Sequence, residues 1–232
     1  MKVVIFGATG MVGQGALREC LLDESVREVV TVGRTPTGRC HVKLKERVAK
    51  DLFDLSALDP DLRGADACLF CLGVSSAGMA EAAYTRITYD LTLAVAEHLA
   101  RLEPGMVFIY VSGAGTDASE RGRIMWARVK GRTENALRRL PFRRVYLFRP
   151  GFIQPLHGIR SRTGWYRLLY ALFRPLAPLV RAGFPGATLT TESLGRAMLF
   201  AARQGAPKEV LEPRDLNRLA DAALPRAPRG MG

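Results

Sequence analysis

Through its first 150 residues the chain alternates between short apolar runs and stretches of helical periodicity. Residues 2–6 (KVVIF) are an apolar run ending on glycine, as expected of a strand buried on both faces of a parallel sheet. Residues 11–22 follow with helical character. Further strands are expected at 28–33 (EVVTVG), 41–48 (HVKLKERV), 66–73 (DACLFCLG), 106–113 (MVFIYVSG) and 143–151 (RRVYLFRPG). Between the fourth and fifth, residues 81–102 put Ile87, Leu91, Val95 and Leu99 at helical spacing. Another helix is expected over 123–140, ended by Pro141. Strands alternating with helices predict an α/β protein, a doubly wound parallel sheet with helices on both faces. The alternation is expected to end near residue 150. The rest reads as a small helical C-terminal region. With no internal repeat and no long linker, residues 1–155 are expected to form the core. Residues 156–232 are expected to pack on the same domain as a lid or substrate region.

Composition narrows the class. Hydrophobic residues make up 48% of the 232, enough for a substantial core, and mean hydropathy is near zero. No run of about 18 uncharged apolar residues occurs, so no spanning helix is expected. The N-terminus runs straight from MKVVIF into glycines, without the pattern of a cleaved leader. Net charge is +12, from 28 arginines and 6 lysines against 22 acids. The arginines are spread along the chain, with no basic tail, no zinc-finger spacing and no RNA-binding aromatic signature, so no nucleic-acid partner is expected. Cys68 and Cys71 invite a metal or redox reading, but no second ligand pair accompanies them. On a buried strand, residues three apart point to opposite faces. They are expected to be small core residues in a reducing cytoplasm, and no metal is expected.

Chemistry begins at the end of the first strand, with GATGMVG: Gly7, Gly10 and Gly13. Glycine at the first position permits the tight turn, at the second lets a pyrophosphate approach the backbone, and at the third lets the helix pack on the strand. The helix N-terminus then offers unpaired N–H groups and a positive dipole end to the phosphates. Thr9, Met11 and Val12 complete this phosphate-facing turn. At the end of the second strand, TVGRTPTGR carries Arg34 and no acid. An arginine there suits a 2′-phosphate through charge-assisted contact, so NADP(H) is favoured over NAD(H). Asp51, followed by Leu52, is placed to accept from the adenine amino group. Cys71, Leu72 and Gly73 are expected along the adenosine ribose.

Taken together, GATGMVG, DL at 51–52, LG at 72–73, YVSGAG at 110–115, VKG at 129–131 and FRPGFI at 148–153 resemble the short-chain dehydrogenase/reductase superfamily. The resemblance is to its extended and atypical branch, covers residues 1 to about 155, and resumes in TTESLGRAM (190–198). More narrowly, VKGRTEN and FRPG resemble epimerase/dehydratase-like NAD(P)H-binding proteins related to the Tat-interacting oxidoreductase-like group. The resemblance implies a Rossmann fold, a bound nicotinamide dinucleotide with Pro150 beside it, and a Ser–Tyr–Lys set. There the Tyr moves the substrate proton, the Lys holds the nicotinamide ribose and lowers the Tyr pKa, and the Ser orients the carbonyl. By position, Ser112 matches the Ser and Lys130 the Lys. The Tyr position holds Trp126.

That departure puts the reaction in question. An indole N–H only donates and does not titrate usefully, so it cannot complete a proton transfer. Other proton carriers to consider are Tyr84, Tyr89, Tyr110 and His157, of which His157 follows the sixth strand at the carboxyl edge where ligands of this fold bind. Two functions remain open. One is reduction of a small carbonyl or enone, with water or His157 giving the proton. The other is a non-catalytic NADP(H) sensor whose C-terminal surface meets a partner or membrane. Residues 164–184 (GWYRLLYALFRPLAPLVRAGF) are apolar with arginines seven apart, fitting a lid, an interfacial membrane helix or a dimer surface. A monomer or a homodimer is expected, and the tail 224–232 is expected to be mobile.

Overall fold

The computed structural model describes residues 1–159 and 188–224. The expectations for 164–184 and for the tail from 225 onward lie outside these residues. Among the described residues nine strands are present: β1 (Lys2–Phe6), β2 (Glu28–Gly33), β3 (Leu44–Val48), β4 (Ala67–Phe70), β5 (Val107–Val111), β6 (Arg144–Phe148), β7 (Phe152–Gln154), β8 (Thr188–Thr190) and β9 (Val210–Leu211). The main helices are α1 (Met11–Leu22), α2 (Asp59–Leu62), α3 (Glu81–Thr85), α4 (Leu91–Leu102), α5 (Met125–Leu137), α6 (Thr191–Gln204) and α7 (Pro213–Ala222). A five-residue π-helical stretch, Arg86–Asp90, joins α3 to α4.

Seven strands form one parallel sheet in the order β3-β2-β1-β4-β5-β6-β9. Because side chains alternate along a strand, each strand feeds both layers. Val3, Ile5, Ala67, Leu69, Val107, Ile109, Tyr146 and Phe148 pack toward α1, α6 and α7. Val4, Phe6, Cys68, Phe70, Phe108, Tyr110, Val145 and Leu147 pack toward α4 and the end of α5. Cys68 and Cys71 do part across the sheet: Cys68 lies in the second layer and Cys71 packs on the first. All four cysteines are free thiols. Phe6, Phe70, Phe108 and Phe142 stack in series with centroids 4.9–5.8 Å apart, tying β1, β4 and β5 together.

The alternation does not end at residue 150. β9 pairs with β6 (Leu147↔Val210, Phe148↔Leu211), and α6 and α7 bury Leu194, Ala197, Met198, Leu216 and Leu219 in the first layer. Residues 188–222 are thus built into the sheet and its core. α6 starts on a capping box, with the Thr190 hydroxyl accepting from Ser193 N–H at 2.9 Å and Thr190 N–H donating to the Ser193 hydroxyl at 2.8 Å. Among the described residues no helix is long and apolar enough to cross a membrane.

The strand order reverses between β1 and β4, which opens a crevice beyond their carboxyl ends. Gly7 leaves β1 there and Cys71 leaves β4, joined by the Cys71 N–H to Phe6 C=O bond of 2.9 Å.

Candidate cofactor and active site

The turn after β1 is built as its glycines require. Gly7 has φ +79°, and a Cβ on it would meet the Leu72 nitrogen at 2.7 Å. A Cβ on Gly13 would lie 2.1 Å from the Gly7 carbonyl oxygen, so α1 packs directly on the turn. Gly10 caps α1 with no side chain bonded across the end, and the first turn holds no acid. Its N–H groups have no intrahelical acceptor, which fits a phosphate. Gln14 donates to the Thr9 carbonyl at 3.0 Å and steadies the loop.

Next to this turn lies a cavity of about 340 Å³. It brings together five of the expected cofactor residues, Gly7, Thr9, Arg34, Leu52 and Leu72, with Thr35, Thr37, Glu46 and Arg47, which the sequence did not single out. Arg34 is exposed at its rim, with no hydrogen bond or ion pair to another described residue. Arg47 grips Asp61 by two bonds, one of 2.6 Å, so its charge is spent. Glu46 reaches in from β3 and accepts from the Thr37 N–H at 2.8 Å and from the Thr37 hydroxyl. The alternation of β3 set Glu46 on one face with Leu44 and Val48, but only closure of the β2–β3 loop shows that this face looks into the cavity. Asp51 is exposed and accepts from Phe53 N–H at 2.9 Å; Leu52, not Asp51, lines the cavity. Gly10, Met11, Val12 and Gly13 form the adjoining helix start, and Cys71 and Gly73 flank Leu72 on the strand exit. Burial pushes the Cys71 thiol up to about 12, so it stays a neutral thiol.

The second half of the site gathers at the end of β5. Ser112 N–H donates to Phe148 C=O at 2.7 Å and Ala114 N–H to Pro150 C=O at 2.9 Å, pinning the loop 112–116 to the exit of β6. Pro150 therefore shapes this loop through its carbonyl. Ser112 Oγ lies 2.8 Å from Thr116 Oγ1, and Thr116 Oγ1 donates to Gly113 C=O at 2.8 Å. With the Thr116 proton spent there, the Ser112 hydroxyl donates to Thr116 and keeps its lone pairs for a ligand. Lys130 reaches up from α5 and donates to the carbonyls of Ser112 (3.1 Å) and Val111 (3.4 Å), above the Tyr110 ring. Burial pushes its ammonium down to about 8, and Glu134 one turn on partly opposes this. Ser112 and Lys130 thus sit together, with one ammonium proton left over.

Trp126 lies in the first turn of α5, one turn before Lys130. Its ring lies against the glycine loop, 3.6 Å from where a Gly115 Cβ would stand and 3.9 Å from one on Gly113. α5 can come this close because a Cβ on Gly131 would lie 1.8 Å from the Asp117 carbonyl oxygen; nothing but glycine fits in the VKG sequence.

The alternative proton carriers are occupied elsewhere. Tyr110 is fully buried, its phenol pushed up by burial and bonded to Thr133, whose own hydroxyl proton goes to Val129 C=O at 2.8 Å. Tyr84 is buried beside it. Tyr89 lies under the Arg132 guanidinium at 4.1 Å. His157, at φ +56°, is tied through Nε2 to Glu192 of α6 at 2.6 Å and makes no hydrogen bond with Ser112 or Lys130.

Beneath Lys130 runs a support that the sequence did not reveal. Glu134, 1% exposed, takes two bonds from Arg149 (3.0 and 2.5 Å), and Arg149 also reaches Glu212 at 3.1 Å. Glu212 caps α7, so α5, the end of β6 and the start of α7 meet on one guanidinium.

Comparison with known proteins agrees with this architecture. Residues 3–122 match the model of the NAD dependent epimerase/dehydratase family. The mitochondrial protein fmp52-1 of Aspergillus terreus is 31% identical over 194 residues, covering 80% of this chain and 76% of that protein. Rat protein HTATIP2 is 29% identical over 155 residues, 66% of this chain. The match spans 62% of the rat protein and 66% of fmp52 from Emericella nidulans, just under two thirds of each. Among solved structures, a UDP-glucose 4-epimerase superposes with a TM-score of 0.67 at 17% identity, covering 96% of this chain and 80% of that one. The Bordetella bronchiseptica enzyme WbmH, solved with NAD+, gives 0.65 at 17% identity, covering 98% of this chain and 83% of that one. Glycine turn, crevice, sheet order and sequence kinship point one way: the chain belongs to the NAD dependent epimerase/dehydratase family.

Proposed function

We propose that the protein binds NADP(H) across the carboxyl ends of β1, β4 and β5 and reduces a small carbonyl or enone without the usual phenol. The observation that carries this is the pairing of an acid-free helix start behind Gly7 and Gly13 with Arg34, unpartnered among the described residues, at the cavity rim. The WbmH relative, solved with NAD+, supports a dinucleotide in this crevice. The nicotinamide supplies a hydride when bound. Lys130 donates its remaining N–H to a ribose hydroxyl, the Ser112 hydroxyl turns from Thr116 to donate to the substrate oxygen and orient it, and water supplies the proton to that oxygen. His157 stays a weaker donor because Glu192 holds it away. The competing reading, an NADP(H) sensor that carries out no reaction, is favoured by Trp126, and here the C-terminal surface would meet a partner or membrane. The free thiols, two of them buried, suit a reducing compartment, with the cytoplasm as our proposal; fractionation tests it against the mitochondrial designation of the fmp52 relatives.

Titration with NADPH and NADH, followed by a carbonyl panel with NADPH, tests the assignment. Tight NADPH binding with no turnover across the panel selects the sensor. Arg34→Ala is expected to weaken NADPH binding about tenfold or more, the worth of one charge-assisted contact, and to change NADH binding less than about threefold. Equal losses for both nucleotides would show that Arg34 does not meet a 2′-phosphate.

A further inference from the structure

The cavity beside the glycine turn holds a carboxylate where the preceding reading needs an anion. Glu46 comes from β3, not from the end of β2 where an acid usually faces a ribose. Its Oε1 takes both the backbone N–H of Thr37, at 2.8 Å, and the Thr37 hydroxyl. A backbone amide and a hydroxyl converging on one oxygen form the donor set that a phosphate oxygen takes. The neighbouring cations differ in availability. Arg47 is held by Asp61, whereas Arg34 has no partner among the described residues. All of these groups line one cavity with Gly7 and Leu72.

We propose that Glu46 is an internal competitor for the 2′-phosphate of NADP(H) and sets the cofactor preference together with Arg34. This rests on the placement of a dinucleotide in this crevice. With NAD(H), the Glu46 carboxylate stays on Thr37 and accepts from the ribose 2′-hydroxyl through its other oxygen. With NADP(H), the 2′-phosphate takes Arg34 and the Thr37 donors, and the Glu46 carboxylate must leave them. Two anions cannot share one N–H and one hydroxyl without repulsion at short range. The wild-type protein therefore accepts both nucleotides, with a narrower preference for NADP(H) than Arg34 alone would give.

The test is fluorescence titration of the full chain, wild type, Glu46→Gln and Glu46→Ala, with NADPH and with NADH. Glu46→Gln removes the charge and keeps a Thr37 acceptor. It is expected to shift the ratio of the two dissociation constants toward NADPH by about tenfold, the size of one hydrogen bond to a charged group. Glu46→Ala frees the Thr37 donors outright and is expected to shift the ratio the same way by at least as much. Both variants lie on a half-exposed edge strand, and their melting curves report whether the fold is kept. If both nucleotides bind the wild type and neither variant moves the ratio, Glu46 does not compete and this inference is overturned while the cofactor assignment stands. If the wild type binds neither nucleotide, the cofactor assignment itself falls, and the inference with it.

Discussion

Replacing Arg149 with methionine is expected to cost about 3–5 kcal/mol of folding stability, because it strips the partner from a buried carboxylate. Glu134 is 1% exposed, and Arg149 supplies both of its hydrogen bonds from other residues. Without them the Glu134 carboxylate is left in the core stripped of its partner, which is costly. Lys130, one turn back on α5, is drawn the other way, toward the carbonyls of Val111 and Ser112, and makes no hydrogen bond to Glu134. Arg149 also carries Glu212, so the start of α7 loosens at the same time. Urea unfolding measures the loss. A cost below about 1 kcal/mol, typical of an exposed pair, would mean that Glu134 finds water or another partner. The double variant Glu134→Leu, Arg149→Met is expected to regain most of the loss, because it removes both charges together.

The parts readable from sequence are those set by local spacing. The apolar runs place β1, β2, β4, β5 and β6 within a few residues of the observed strands, and Gly7 and Gly13 imply the turn that the backbone adopts. Lys130 and Ser112 meet as their positions on α5 and after β5 require. What escaped depends on pairing across long stretches of chain. β9 is two residues, too short for any periodicity, and is a strand only because β6 lies beside it. The Arg149–Glu212 contact joins residues 63 apart, and Glu46 reads as one more charge on an exposed strand until the β2–β3 loop folds over it. The proton commitment of Ser112 depends on Thr116, four residues on, whose hydroxyl direction no sequence pattern encodes.

Position 126 joins these threads, and Trp126→Tyr is the variant expected to change activity most. The residue lies in the first turn of α5, one turn before Lys130, with its ring against the loop that carries Ser112. A phenol in that place would lie near an ammonium that burial already holds at about 8, and the positive charge would pull the phenol below its ordinary value of about 10. Positioned acid catalysis contributes about 10²–10⁴ in rate, so NADPH-dependent reduction in the carbonyl panel is expected to rise by that range. The sign of the pH dependence follows from the chemistry: reduction consumes the phenol proton, so the gained activity falls as pH rises through the phenol pKa. Trp126→Phe separates proton donation from space, because a phenyl ring frees the same volume and cannot titrate. It is expected to stay at the wild-type rate. If Trp126→Tyr binds NADPH as the wild type does and still gains nothing, position 126 lies away from the reacting atoms. The tryptophan would then be a packing residue over the glycine loop, and the sensor reading would gain.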